Sequence, residues 1–219
     1  MKEIINKLNS PEYSVGRKAL AELLERGKLS FSDFQEILLL DEKLILGDFL
    51  EEYQYFDKEN LEYMQTYILD HLDDNNRLFV SDLIEFASYW DLIIPFEKCL
   101  ELVRVYEGDN HFVQLAIIDY ILENMKYNYI KETIRALSSI LDNPNLYQNV
   151  QVKAAFTLFR ITMNPTYLND LIDLIVNGDT DNNKSLLNNI LESDYNQQEF
   201  FSYHDLLQII CKKEEKISG

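Results

Sequence analysis

Three histidines and two cysteines are the side chains here that could hold a metal through nitrogen or sulfur, and their spacing assembles no site. His71, His111 and His204 stand apart, with no i, i+4 pair to put two imidazoles on one helix face. His71 lies in Asp70-His71-Leu72-Asp73-Asp74, where one nitrogen meets several carboxylates. With Asp74 it offers two ligands, short of a metal site. Carboxylates in a helix's last turn oppose its dipole. The segment therefore predicts either that Asp73, Asp74 or Asn75 caps the next helix or that a cation lies alongside. Asp179-Thr180-Asp181-Asn182-Asn183 opens like a calcium loop, but Lys184 stands where glycine is needed and Ile190 where glutamate is needed. It reads as a loop that caps a helix. Cys99 and Cys211 are far apart in apolar stretches and read as buried, reduced thiols.

Paired carboxylates are the remaining chemistry. Asp48, Glu51 and Glu52 are placed on one helix face, followed by Asp57, Glu59 and Glu62, with Lys58 the nearby cation. Glycoside hydrolysis needs two carboxyls opposed across a pocket, and neighbours on one face lack that geometry. The sequence holds no G-x-S-x-G, no Walker loop and no G-x-G-x-x-G. It therefore implies no cofactor and reads as non-enzymatic. Two readings stand for the acids. They form a solvated face, or they bind a partner, with Asp48, Glu51, Glu52, Asp70, Asp73 and Asp74 as the contact residues.

The charge sets the sign of that partner. The 219 residues carry 38 acidic against 20 basic side chains, a net charge of -18. Residues 1–40 are neutral, residues 41–110 hold five basic and eighteen acidic side chains, and residues 111–219 hold nine and fourteen. A field of this sign repels phosphate backbones, which argues against nucleic acid, and attracts basic protein. No apolar run approaches the roughly 20 residues that span a bilayer, and the polar start Met1-Lys2-Glu3-Ile4-Ile5-Asn6-Lys7 lacks a secretory core. The expectation is a cytoplasmic protein with no membrane partner.

The elements that must carry these residues are helices. Apolar side chains recur at helical spacing, as in Leu61, Met64, Ile68 and Leu72, or Phe79, Leu83, Ile84, Ala87 and Trp90. Pro11, Pro144 and Pro165 each follow Ser or Asn, which predicts proline at the first helical position behind a cap. Gly27, Gly108 and Gly178 each follow an apolar run, which predicts left-handed C-terminal caps. The helices pair at about 1–27, 30–55, 58–91, 95–126, 129–163 and 165–193, with a terminal helix near 202–213. A shift of 34 lays Phe96, Leu100 and Val103 on Ile130, Ile134 and Leu137, and then Ile134, Leu137 and Leu141 on Leu168, Leu171 and Ile175. For the second helices a shift of 39 lays Val113, Ala116, Ile117 and Tyr120 on Val152, Ala155, Phe156 and Phe159.

The stretch 149–160, NVQVKAAFTLFR, has small residues after a valine-lysine pair and then bulky ones, and Ser14 to Leu24, SVGRKALAELL, reads similarly. At these residues the chain resembles the HEAT-repeat family of helical-hairpin solenoids, although it lacks that family's regular Asp and Arg positions. Other α-α solenoids fit the same pattern. The resemblance implies an all-α fold, a right-handed α-α superhelix of about six stacked hairpins that binds macromolecules. Residues 1–213 are expected to form one α-solenoid domain, clearest at 95–193, with 214–219 a frayed tail.

Three functions follow from different classes. The first is an acidic solenoid that binds a basic protein, of immunity or inhibitor type. The second is a glycosylase-type enzyme for alkylated DNA, which the resemblance also admits, with Trp90 and Asp91 the nearest aromatic and acid. The third is an adaptor subunit of a larger assembly.

Overall fold

The computed structural model describes residues 2–27, 29–52, 55–105, 110–124 and 129–178. Among these residues there are eleven α-helices and no strand. They are α1 (Lys2–Leu8), α2 (Tyr13–Glu25), α3 (Phe31–Leu38), α4 (Lys43–Leu50), α5 (Lys58–His71), α6 (Arg77–Tyr89), α7 (Phe96–Val103), α8 (His111–Asn124), α9 (Ile130–Leu141), α10 (Gln148–Thr162) and α11 (Pro165–Asn177). The first five expected pairs each contain two of them, and α11 opens the sixth. The loop at Asp179–Asn183, His204, Cys211, the terminal helix near 202–213 and the tail 214–219 lie outside the described residues, as does Gly108. No described helix is long and apolar enough to cross a membrane.

The chain divides into two compact units, Met1–Cys99 and Leu100–Gly219. In the first, α2 packs on α4 and α4 on α6, while α3 packs on α5. Helices two apart in sequence are thus neighbours within a layer, an arrangement compatible with a helical repeat. Its core is aromatic. Phe34, Phe49, Phe56 and Phe86 pack with ring centroids 4.6–6.1 Å apart, and Phe56 comes from a loop rather than a helix. Tyrosines close the open ends of neighbouring helices. Tyr55 Oη donates to Leu24 O at 2.8 Å and Tyr67 Oη to Leu38 O at 2.9 Å. Leu24 O also accepts from the Gly27 N–H at 3.1 Å, so Tyr55 adds a second donor to a carbonyl at the open end of its helix.

In the second unit α10 is central, in contact with α8, α9 and α11. Residues 151–159 of α10 are all buried. Its polar side chains are used internally: Lys153 pairs with Asp119 of α8, and Gln151 Nε2 donates to Leu141 O and Asn143 O at 3.4 and 2.9 Å. Gln114 of α8 is buried and donates to Val103 O and Val105 O at 2.9 and 3.1 Å. The two glutamines do the same job, closing the end of the preceding helix. Their equivalence registers the second helices on a shift of 37 rather than the 39 expected. The 34-residue shift of the first helices agrees with the starts of α7 at Phe96 and α9 at Ile130.

Several expected caps are different. Pro165 opens α11 behind Asn164, whose side chain accepts from Thr166 N at 3.0 Å. Pro11 and Pro144 stand outside helices. Ser10 and Asn143 accept instead from the N–H groups of Glu12 and Asn145, closing turns two residues long in sequence. Gly27 is left-handed at φ 88°, but Gly178 is extended at φ -104°, packed close to Gln148. Left-handed backbone falls also at Asp91 and Met163, at φ 52° and 53°.

Candidate functional site

The acidic face of α4 is built from α2 upward. Gly16 lets α2 approach α4 closely, since a β-carbon there would lie 2.7 Å from Ile45 Cδ1. That contact carries Tyr13 and Arg17, one turn apart on α2, to Asp48 of α4. Tyr13 Oη donates to Asp48 Oδ1 at 3.3 Å, which pushes the phenol upward. Arg17 Nη1 lies 3.3 Å from Oδ2, an ion pair not aligned as a hydrogen bond. Asp48 is therefore half-buried and already met by a cation. Glu51 is exposed at the C-cap of α4. Glu52, expected on the same helix face, lies beyond the helix end because α4 stops at Leu50.

Residues that the sequence reading missed complete this face. Residues 43–55, KLILGDFLEEYQY, lie on 77–89, RLFVSDLIEFASY, at a shift of 34. The identities are Leu44 with Leu78, Asp48 with Asp82, Glu51 with Glu85 and Tyr55 with Tyr89. Steps of four and three residues put the first three of each set on one helix face, while Tyr55 lies beyond the end of α4. The buried positions between them match only in being apolar, apart from Gly47 against Ser81. A shift test applied to these thirteen residues would have found Asp82 and Glu85.

Asp48 and Asp82 each lean toward the preceding helix of the layer, but they meet different things there. Asp48 meets Arg17. Asp82 meets Gly47, where a β-carbon would collide with its carboxylate. The described residues give Asp82 no hydrogen bond and no ion pair. Burial first, then the charges of Glu85, Glu51 and Asp48, push its carboxyl up to about 6.

The second predicted cluster is a helix turn with its charges largely occupied. The N-cap of α6 is Asn76, accepting from Phe79 N at 3.1 Å, one residue beyond the expected Asp73, Asp74 or Asn75. Asp74 supports it by accepting from Asn76 N at 2.8 Å, and Arg77 Nη1 donates to Asp74 O at 3.0 Å. Asp73 pairs with Lys98 at 2.7 Å, so a cation does lie alongside. Asp70 is exposed in the last turn of α5. His71 stacks on Tyr67 at 4.0 Å and its Nδ1 bonds Tyr67 O at 2.7 Å, which commits one ring nitrogen to the helix itself. Asp74 acts electrostatically on Tyr67, whereas Asp82 feels Glu85, Glu51 and Asp48.

In the second unit a cleft of about 410 Å³ lies between α9 and α11, with Ser138, Asp142, Tyr167, Asp170 and Asp173 on its walls. Ser138 Oγ and Tyr167 Oη are hydrogen-bonded at 3.3 Å, and burial raises Asp170. Cys99 is buried beneath Ile94 O, its thiol pushed up to about 12 by burial, the environment of an inert thiol. Trp90 packs against Phe86 and Tyr89 at the end of α6, beside the exposed Asp91.

No family model matches the chain, and no curated protein or solved structure matches it. The fold class is all-helical, with neighbouring helices packed as a helical repeat would pack them.

Proposed function

We propose that this chain is a non-enzymatic binding module that takes a basic protein as partner, an acidic helical repeat of inhibitor or immunity type. The observation that supports this reading is the doubled carboxylate face of α4 and α6. Asp48, Glu51, Asp82 and Glu85 stand on adjacent helices, and burial first, then the charges of the other three, raises Asp82. Like charges held together with one of them unpaired cost stability in the free protein, and an approaching cation relieves that cost. Residues 41–110 carry 13 of the 18 excess negative charges, so the same region supplies the long-range encounter field.

The test is affinity isolation at low ionic strength with the wild type and with Glu51→Lys/Glu52→Lys in parallel, followed by kinetics on the protein isolated. The reversal slows association several-fold at about 20 mM salt and has a smaller effect at about 300 mM, because screening shortens the reach of the field. An association rate and salt dependence left unchanged would reduce the face to a solvated surface.

A further inference from the structure

Asn177-Gly178, at the end of α11, is the one Asn-Gly pair in the chain. An asparagine carboxamide is open to attack by the backbone nitrogen of the next residue. Two things ordinarily prevent this in a folded protein: the next side chain crowds the approach, and its N–H is held in a hydrogen bond. Neither operates here. Gly178 has no side chain, and packing keeps it so, because a β-carbon there would collide with the Gln148 carboxamide. Its N–H would ordinarily close the last turn of α11 on Leu174 O, four residues back. Gln148 Nε2 donates to that carbonyl instead, at 2.7 Å. Gly178 leaves the helix in extended backbone, φ -104° and ψ -163°, and among the described residues its N–H meets no acceptor. The target is equally open: Asn177 is exposed and lies on the wall of the cleft between α9 and α11. Asn9-Ser10, just beyond α1, shows the opposite case. The Ser10 N–H donates to Lys7 O at 3.2 Å, and Asn9 Oδ1 accepts from Asp41 N and Glu42 N at 2.9 and 3.2 Å, so both reacting groups are held.

We propose that Asn177 is a site of spontaneous deamidation, an age-dependent modification that adds a carboxylate to the α9–α11 cleft. Gly178 N gives its proton to hydroxide and attacks Asn177 Cγ. The new N–Cγ bond closes a cyclic imide, the Cγ–Nδ2 bond breaks, and the amide leaves as ammonia with a proton taken from water. A second water then adds to one imide carbonyl, and the C–N bond at that carbonyl breaks. Opening at Cγ restores the main chain with aspartate at 177. Opening at the main-chain carbonyl routes the chain through Cγ and leaves isoaspartate. The balance is water consumed and ammonia released, with no change of oxidation state. Either product puts a new negative charge one turn from Asp173, in a cleft where burial, then Asp173 and Asp142, already push the Asp170 carboxyl upward. A negative charge in the last turn of α11 also opposes that helix's dipole. The modified chain is therefore more acidic in this cleft and less stable at this helix end.

The experiment ages the full chain in ordinary and in heavy-oxygen water, at neutral and mildly alkaline pH, and reads each asparagine by peptide mass mapping. Asn177 gains the mass of an amide turned acid ahead of the other asparagines, takes up heavy oxygen, and gives aspartate and isoaspartate together. Its rate rises with pH, because the attacking nitrogen must first lose its proton. Conversion is about as fast in the folded chain as in the chain unfolded in urea, since the fold withholds neither reactant. A folded rate more than about tenfold below the unfolded one overturns the proposal, by showing that the junction is protected. Gln148→Ala returns Leu174 O to the Gly178 N–H and slows the folded chain about tenfold, with the unfolded rate unchanged. An equal or faster folded rate in Gln148→Ala overturns the proposal as well, because the freed N–H is then not what exposes Asn177 to attack.

Discussion

Asp82 and Thr133 are both polar groups left in poor company, and each carries a measurable penalty of its own kind. Asp82 has a folded-state carboxyl near 6 against an ordinary 3.8, because burial and the charges of Glu85, Glu51 and Asp48 disfavour ionisation. The folded state therefore holds the proton more tightly than the unfolded chain. Its stability is unaffected by this group below about pH 4, falls as pH rises from 4 to 6, and carries the full penalty above that. Asp82→Asn removes the penalty. It is expected to stabilise the protein by about 1 kcal/mol at pH 8, a figure discounted because the side chain is partly open to water, and by nothing near pH 4. Urea unfolding of both proteins at the two pH values checks this, and an equal difference at both would show that ionisation is not its cause. Thr133 is fully buried in α9 with its hydroxyl unpartnered among the described residues. Thr133→Val keeps the shape and removes the orphan oxygen, so its midpoint in urea moves up, by about 1 kcal/mol.

At the scale of elements, most of the helices were legible because apolar spacing and loop residues agree. The five complete pairs show it, as does the 34-residue step from Phe96 to Ile130. Two things were not. Turn chemistry at Ser10-Pro11 and Asn143-Pro144 imitates a helix start, since a side-chain oxygen accepting two residues on serves a turn or a helix equally well. Which helix leans on which was also hidden, so nothing in the sequence shows that Asp48 finds Arg17 and Asp82 finds glycine. The repeat that exposes this pair of aspartates lies in surface identities, whereas at apolar positions many residues are interchangeable and any register matches. Where burial is complete, packing carries a testable cost. Ala155 is fully buried in α10 and packs in one cluster with Val152, Phe156, Leu171, Ile172 and Ile175. Its small side chain sets how closely α10 and α11 approach. Ala155→Leu adds bulk with nowhere to go and is expected to cost about 1–3 kcal/mol. A melting temperature equal to the wild type would mean that the α10–α11 contact can open without loss.

The whole molecule carries a net charge of -18, an excess of like charge that repels itself. Lys58–Glu62, 3.9 Å apart with both ends exposed, is of the kind that contributes close to nothing. Raising ionic strength therefore takes little from the folded state and relieves much. The Debye length falls from about 30 Å at 0.01 M to about 3 Å at 1 M, shorter than the distance between many of the acidic groups on a folded surface. The protein is expected to melt higher in sodium chloride, by about 2–4 °C for each kcal/mol of repulsion screened between about 10 and 500 mM. The increment should shrink in Glu51→Gln/Asp82→Asn/Glu85→Gln, because the most crowded carboxylates have then lost their charge. Bound basic peptide should likewise shrink it, since the cation neutralises the same face from outside. A melting temperature that falls with salt would show that attractive pairs such as Asp119–Lys153 outweigh the excess charge. The acidic segment would then be a stabilising network rather than a field held ready for a partner.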